Sequence, residues 1–400
     1  MQTGHAGQIV ERNSDRFSDA EFGRRHAAVR AMMKEKGLDI LLAHVTAAMP
    51  ANIRYLTGWG PYGNGPAFLL FPADQAPLLL VGIFSHVASA ERNSSVTAEF
   101  AGPQPGVKIA QRIRDLGLTR ARIGLVEVDS ARNRGLPSVV LDDVRKSLPE
   151  ATFEFVTQEI EMIRRYKSDE EIALLERAAG LAEQALEAMV AAAKPGNTEW
   201  DLAAAVYNAA IQAGGTVEVS LLGSTSMDNP SMATPRTQPT MRRLEKGDVI
   251  LSEIGIGCRG YSTQLLRPIT IGKPNELYRR LIDISIEVYK SVQAALKPGA
   301  TDHDVQVAAK LLSQPGIVSE APIVHGWSQW SEFGFHVTVP GDEEHWPSRP
   351  VVFKPGMSMS IEPNPCTSDY RAGVFMGDLN VITQNGARSL HHWPLEAIQV

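Results

Sequence analysis

Apolar positions along the chain follow two rhythms. From Asp19 to Gly37, "DAEFGRRHAAVRAMMKEKG" spaces them at helical intervals and stops at a glycine, which predicts a helix. The runs "DILLAHV", "AFLLFPA", "APLLLVGIF" and "RIGLVEV" are short and continuously apolar, the pattern of buried strands. Together they predict a mixed α/β region. The rhythm changes in "EMIRRYKSDEEIALLERAAGLAEQALEAMVAAAKPG", where Ser168 and Glu171 form a capping-box signature ahead of a long amphipathic helix that ends at Pro195–Gly196. We place the boundary near Glu161, giving segments 1–160 and 161–400.

The second segment repeats itself. "AAAKPGNTEWDLAAAV" returns as "AALKPGATDHDVQVAA", with Lys194 matching Lys297, and "EKGDVILSE" returns as "KPGMSMSIE", with Glu253 matching Glu362. A lone Lys-Pro-Gly marks only a helix end and a turn. Two ordered matches at offsets of 103 and 109 residues predict a duplicated α+β half. Two halves related by a pseudo-two-fold axis would bring corresponding strands together, so that Glu253 faces Glu362. Strand alternation puts Val249, Leu251 and Glu253 on one face and Ile250, Ser252 and Ile254 on the other. An ionised carboxylate on an apolar face is costly unless it is paired.

Composition narrows the class. A chain of 400 residues, 44% hydrophobic and 21% charged, is long enough for two globular domains. A net charge of -6 without any Lys/Arg-rich run gives no footprint for nucleic acid. The apolar runs are too short to span a bilayer, and the first residues lack the apolar core of a secretory signal. Cys258 and Cys366 make neither a disulfide framework nor a zinc knuckle, and are expected to be inert core residues. The expected setting is a reducing cytoplasm.

"NIRYLTGWG", "EMIRRYKSDEEIALLERA", "LEKGDVILSEIG…GYSTQLLRPITIGKP", "PIVHGWSQW" and "FKPGMSMSIEPNP" together resemble the creatinase / Xaa-Pro peptidase / methionine aminopeptidase family. The matches run from about Asn52 to Thr383, in the family's order. The resemblance implies an α+β protein, with a duplicated pita-bread catalytic domain behind a smaller N-terminal α/β domain. It also implies a homodimer in which one subunit's N-terminal domain helps cover its partner's active site. Metallopeptidases of the family hold two ions with Asp, Asp, His, Glu and Glu. Carried over, those positions fall on Glu253, Gln264, His325, Glu362 and Gly377, with Asp378 after the last, and a second histidine is replaced by Glu332.

A pair of hard cations needs bridging carboxylates to offset their mutual repulsion. An amide and a glycine remove two carboxylates, so two ions are not expected. The resemblance to metal-free members, ectoine hydrolase and creatinase, implies no cofactor. It implies hydrolysis of a non-peptide C–N bond in a small cationic amidine, guanidine or cyclic amide. Arg236 stands where creatinase has a histidine, which argues against creatine itself. Two carboxylates in a dry cleft share a proton and attract a delocalised cation. Glu253 is then the nucleophile or base, Glu362 binds cationic N–H groups, and His325 shuttles a proton.

Further substrate contacts are assigned to Gln264, Asp378, Glu332, Arg236, Tyr261, Trp327 and His336. Trp59 and Tyr62, in the loop "TGWGPYGNGP", could close over a cation. The segment "WSQWSEFGFHVTVPGDEEHWPSRP" is the expected specificity segment. Plainer readings stand beside these: Glu253 paired with Arg259 or Arg267, His325 packed between Trp327 and Trp330, Tyr261 as packing, Arg236 as a surface residue, Trp59 and Tyr62 in a surface turn. The alternative functions are a metal-dependent Xaa-Pro peptidase with a single divalent ion at Glu253, His325 and Glu362, a lyase, and a catalytically inactive binding protein.

Overall fold

In the computed structural model the described residues are 16–129, 135–319, 322–339 and 350–400, with residues 330–334 described by backbone alone. The chain divides into two compact units, Met1–Arg164 and Arg165–Val400.

The first unit runs α1 (Asp19–Lys36), β1 (Ile40–Val45), α2 (Ala51–Thr57), β2 (Ala67–Pro72), β3 (Leu78–Val81), α3 (Val87–Asn93), β4 (Thr97–Phe100), α4 (Pro105–Asp115), β5 (Arg122–Val126), α5 (Ser138–Ser147), β6 (Thr152–Phe155) and α6 (Thr157–Arg164). Its sheet is ordered β4-β3-β2-β1-β5-β6. Leu41, Ala43 and Val45 of β1 pack with Val29 and Met33 of α1, while Ile40 and Leu42 pack with Ile109 and Ile113 of α4. Both faces are covered, which is why these strands read as unbroken apolar runs. Ser18 caps α1, and Gly37 ends it in the left-handed conformation at φ 66°.

The second unit begins with α7 (Asp169–Ala192), α8 (Glu199–Gln212), β7 (Thr216–Ser226), β8 (Asp248–Cys258), β9 (Tyr261–Ser262), β10 (Leu265–Leu266) and β11 (Ile269–Thr270). It continues with α9 (Glu276–Ala295), α10 (Asp302–Ala308), β12 (Ile317–Ser319), β13 (Val324–Ser328), β14 (Trp330–Val337), β15 (Ser358–Ile361), β16 (Pro365–Thr367), β17 (Gly377–Thr383), β18 (Gly386–Ser389) and β19 (Ile398–Gln399). Among the described residues, no helix is long and apolar enough to cross a membrane.

Capping boxes start the helices: Ser168 with Glu171 on α7, Thr198 with Asp201 on α8 and Thr301 with Asp304 on α10. The last two are the repeated Lys-Pro-Gly segments, each folded as helix, turn and capped helix. The main sheet is ordered β14-β13-β15-β17-β10-β8-β11-β19, with β7 also on β8. On β8, Val249 and Leu251 join the core around α9, whereas Ile250, Ile254 and Ile256 join the core around α7 and α8. Glu253 shares the Val249 and Leu251 side by alternation. Strand β8 turns into β9 through Arg259 and Gly260, at φ 53° and 79°, a two-residue turn that needs positive φ at both positions.

Candidate active site

Glu253 sits mid-way along β8, and Glu362 follows β15 directly. Only β17 and β10 lie between those strands in the sheet. Glu253 is partly buried, and its Oε1 accepts a hydrogen bond from Gln264 Nε2 at 2.6 Å. Gln264, just before β10, is buried, and its own Oε1 is buried without a hydrogen-bond partner. Glu362 is buried and accepts a short hydrogen bond from Ser360 Oγ. His325 on β13 pairs in register with Ser360, and its Nε2 lies 3.3 Å from Glu362 Oε1. Trp327, two residues along the same strand and buried, stands edge-on to the His325 ring at 5.9 Å. His336 lies directly opposite His325 across the β13–β14 pair.

The electrostatics follow from this crowding. Burial pushes the Glu253 carboxyl up to about 8, and the charge of Glu362 pushes the same way, against the pull of His325 and the Gln264 amide. For His325, burial disfavours the imidazolium, but the charge and hydrogen bond of Glu362 outweigh it and the net shift is upward. The two halves of the duplicated unit therefore place around Glu362 a carboxyl and an imidazole that each keep a proton to higher pH than usual.

Other expected contacts lie elsewhere. Asp378 is buried in an ion pair with Arg267 at 2.8 Å, and also accepts from Tyr289 Oη and Ser389 Oγ at 3.2 Å each. Its Oδ2 takes both hydroxyl bonds, while Oδ1 is held by the charge of Arg267 without a hydrogen-bond donor. Tyr261 donates from Oη to Glu171 at 2.8 Å, tying β9 to the start of α7. Arg236 pairs with the fully buried Glu199 at 2.9 Å, which also holds Ser224 and Thr240. Trp59 is a core residue of the first unit, 7% exposed, and so is no free clasp for a cation, whereas Tyr62 is exposed. Glu332 lies on β14 opposite Gly326, with its side chain outside the described residues, as are residues 340–349 of the expected specificity segment.

Ser360 was missed in the sequence, although its place two residues before Glu362 is a same-face signal. Arg267 as the partner of Asp378 was not foreseen. That partnership depends on β10 and β17 pairing Leu265 with Asp378, which no local pattern encodes.

The donor set does not fit two metal ions. Gly377 has no room for a side chain: a Cβ there would lie 2.4 Å from the Ile361 carbonyl oxygen and 2.8 Å from Glu362 Cγ. Among the described residues no three His, Cys, Asp or Glu side chains are gathered so that they could hold a metal ion, and Gln264 and Ser360 donate to the Glu253 and Glu362 carboxylates. Glu253, Glu362 and His325 are of the donor types that a single divalent ion takes, although they are not gathered as a ligand set here.

A model of metallopeptidase family M24 matches residues 173–384, and a model of the creatinase/prolidase N-terminal domain matches residues 25–166. An uncharacterized hydrolase/peptidase of Sinorhizobium fredii is 28% identical over 319 residues, 76% of this chain and 79% of that protein. A Xaa-Pro dipeptidase of Pyrococcus horikoshii is 24% identical over 350 residues, 86% of this chain and 92% of that one. Among solved structures, dipeptidase PepE from Mycobacterium ulcerans superposes with a TM-score of 0.77 at 24% identity, over 96% of this chain and 99% of its own. The prolidase from Pyrococcus horikoshii gives 0.76 at 21% identity, over 94% and 100%.

These matches overturn two expectations. Hydrolysis of a non-peptide C–N bond gives way to the peptidase relatives, and the absence of a cofactor gives way to a family of metallopeptidases. The sequence reading went astray at Gln264 and Gly377. Lost ligands alter how many ions a cleft holds, and they say nothing of which bond is cleaved there.

Proposed function

The chain belongs to the metallopeptidase family M24, its hydrolase half a pita-bread domain behind a creatinase/prolidase N-terminal domain, and from that premise we propose that it cleaves short peptides at Xaa-Pro bonds with the help of a bound divalent ion. The observation that supports this most directly is the convergence of Glu253, His325 and Glu362 inside the stretch matched to the family. Glu253, His325 and Glu362 are the residues that would hold the ion. When bound, such an ion polarises a carbonyl and makes water a nucleophile near neutral pH.

The chain's own groups supply the rest. Ser360 and Gln264 fix the orientation of the two carboxylates, as outer hydrogen bonds do for ligands generally. Trp327 sets the plane of the His325 ring and keeps that side of the cleft dry. The Glu253 carboxylate would take a proton from water and return it to the departing nitrogen.

The test is proline release from a panel of Xaa-Pro dipeptides after treatment with chelator and readdition of Mn(II), Zn(II) or Fe(II). Cleavage should vanish with the chelator and return with one of the ions, and Glu362→Gln should lower kcat/KM by about 100-fold or more. A folded protein that releases no proline with any of the three ions would end this reading.

A further inference from the structure

We propose that His391 is the positioning residue for Gln264, and through that amide for Glu253, so that a strap near the C-terminal end completes the active site from behind. This rests on the proton-carrying role given to Glu253 above. Three observations support it.

The first is where Gln264 sits. Thr263 and Gln264 fill the gap between β9 and β10, strands of only two residues each, so little regular pairing holds this stretch on either side. Yet Gln264 Nε2 lies 2.6 Å from Glu253 Oε1. A long, flexible amide orients a carboxylate only if the backbone that carries it is itself fixed.

The second is what stands behind that backbone. His391 is buried, its Nε2 is 2.6 Å from Thr263 Oγ1, and the backbone of Gln264 hydrogen bonds to the same ring. One imidazole thus grips two consecutive residues, from a position 128 residues beyond Thr263 in the chain. Burial is the largest influence on the ring and lowers it below its ordinary value, so near neutral pH it acts as an uncharged hydrogen-bonding wedge.

The third is the strap itself, which is anchored from two sides by charged groups. Glu183 of α7 accepts from the His392 and Trp393 N–H groups, the second at 3.1 Å. Arg267 donates to the Trp393 and Pro394 carbonyls at 3.1 and 2.7 Å. Such anchors on the residues that follow His391 fix its ring more closely than apolar packing does, and that precision passes through Thr263 and Gln264 to Glu253.

The test needs one readout that does not depend on activity. In the full chain labelled with 15N-glutamine, the Gln264 side-chain amide is identified by its absence in Gln264→Leu. In wild type its resonance should be displaced downfield by the bond to Glu253. His391→Leu should move it back towards the position of solvated amides, and His391→Gln, which returns an N–H close to the place of Nε2, should restore it. With Xaa-Pro peptides, His391→Leu should lower kcat about tenfold with KM within about twofold, and in a Gln264→Leu background it should cost nothing further in kcat. Melting temperature confirms that each variant is folded. If His391→Leu fails to fold, Thr263→Val takes its place, with the same shift expected. An unmoved resonance in a folded variant, or losses in kcat that multiply in the double variant, would overturn the inference. A resonance that moves as stated in a protein that cleaves no peptide would overturn only the proposed function.

Discussion

Two groups of ionisable side chains lie on the same sheet of the second unit and have opposite fates. Arg267 is completely buried, and every arm of its guanidinium is used. Nε donates to the Pro394 carbonyl at 2.7 Å, Nη1 to the Leu266 and Gly377 carbonyls and Nη2 to the Trp393 carbonyl, with Asp378 Oδ1 in charge contact with Nη2 at 2.8 Å. Asp378 in turn is held by Tyr289 and Ser389. Around Glu253, Gln264, His325 and Glu362 the account does not balance: a carboxyl is pushed to about 8, and an amide oxygen has no donor. Neither burial nor hydrogen bonding alone distinguishes them, since Asp378 Oδ1 also lacks a hydrogen-bond donor. Charge does. Asp378 has a guanidinium 2.8 Å away, whereas burial and the charge of Glu362 both push the Glu253 carboxyl toward its neutral form.

Breaking the charge-paired cluster should have the largest effect. Arg267→Met leaves the Asp378 carboxylate buried without its charge partner and should cost about 3–5 kcal/mol in urea unfolding. Adding Asp378→Leu should recover much of that loss, because the uncompensated charge rather than lost packing is the cause. A single variant within about 1 kcal/mol of wild type would show that Arg267 is no cornerstone and would dissolve the contrast.

An unsatisfied group with no charged neighbour should behave as a fault of stability only. His44 on β1 of the first unit is such a group: it faces Phe68 with rings 5.1 Å apart, and its Nδ1 is buried without a hydrogen-bond partner. Burial lowers its imidazole to about 4 from the ordinary 6.5. The unfolded chain therefore takes up a proton below 6.5 that the folded chain refuses until about 4. The stability of this unit should fall as pH drops through that window, by about 3 kcal/mol in all, then level off. His44→Phe should remove that slope from urea midpoints measured between pH 7 and 4, and an unchanged slope would clear His44 of any part in it.

How much of this was legible beforehand can be read from the same residues. The capping box at Ser168, the buried strands of the first unit and the matched Glu253 and Glu362 were visible, because each rests on local spacing or on a repeat. The long-range bonds were not. Asp378 read as a possible pocket wall because nothing near it in sequence is Arg267, and Arg236 read as a surface residue or a substrate clamp because Glu199 lies 37 residues away. Trp59 sits in a Gly- and Pro-rich loop yet packs into the core. Loop composition describes the backbone, and the fate of one large ring depends on what folds over it.

The strained cluster offers the next test, in the opposite direction from Arg267. Glu253 is raised from 4.5 to about 8, so folding holds a proton that the unfolded chain gives up above 4.5. Stability without metal should decline as pH rises through that interval. Glu253→Gln lacks the titration and should be more stable than wild type in chelator, by about 2 kcal/mol at pH 7.5 after allowing for the exposed edge, and equal to it near pH 4.5. Urea unfolding at the two pH values reads this directly. A variant that is less stable at both would mean that the cluster is satisfied as it stands, and the difference from Arg267 would disappear.

The smallest expected effect compares satisfied groups with each other. Thr198 and Thr301 begin the repeated turns, and in each the backbone N–H donates to the aspartate three residues on at 2.7 Å. Their backbone bonds match, but Thr198 Oγ1 also accepts from the Asp201 N–H at 3.3 Å while Thr301 makes no such side-chain cap, and Thr198 is 5% exposed on the 14-residue helix α8 where Thr301 is half-buried on the 7-residue α10. If the value of a satisfied polar group grows with its removal from water, Thr198→Ala should cost about 1.5 kcal/mol and Thr301→Ala about 0.5 kcal/mol. Equal costs would mean that neither the extra side-chain bond of Thr198 nor its burial adds to the capping energy. The weight placed on the dry surroundings of Arg267 and Glu253 would then rest on their charges, and burial would only amplify what the charges begin.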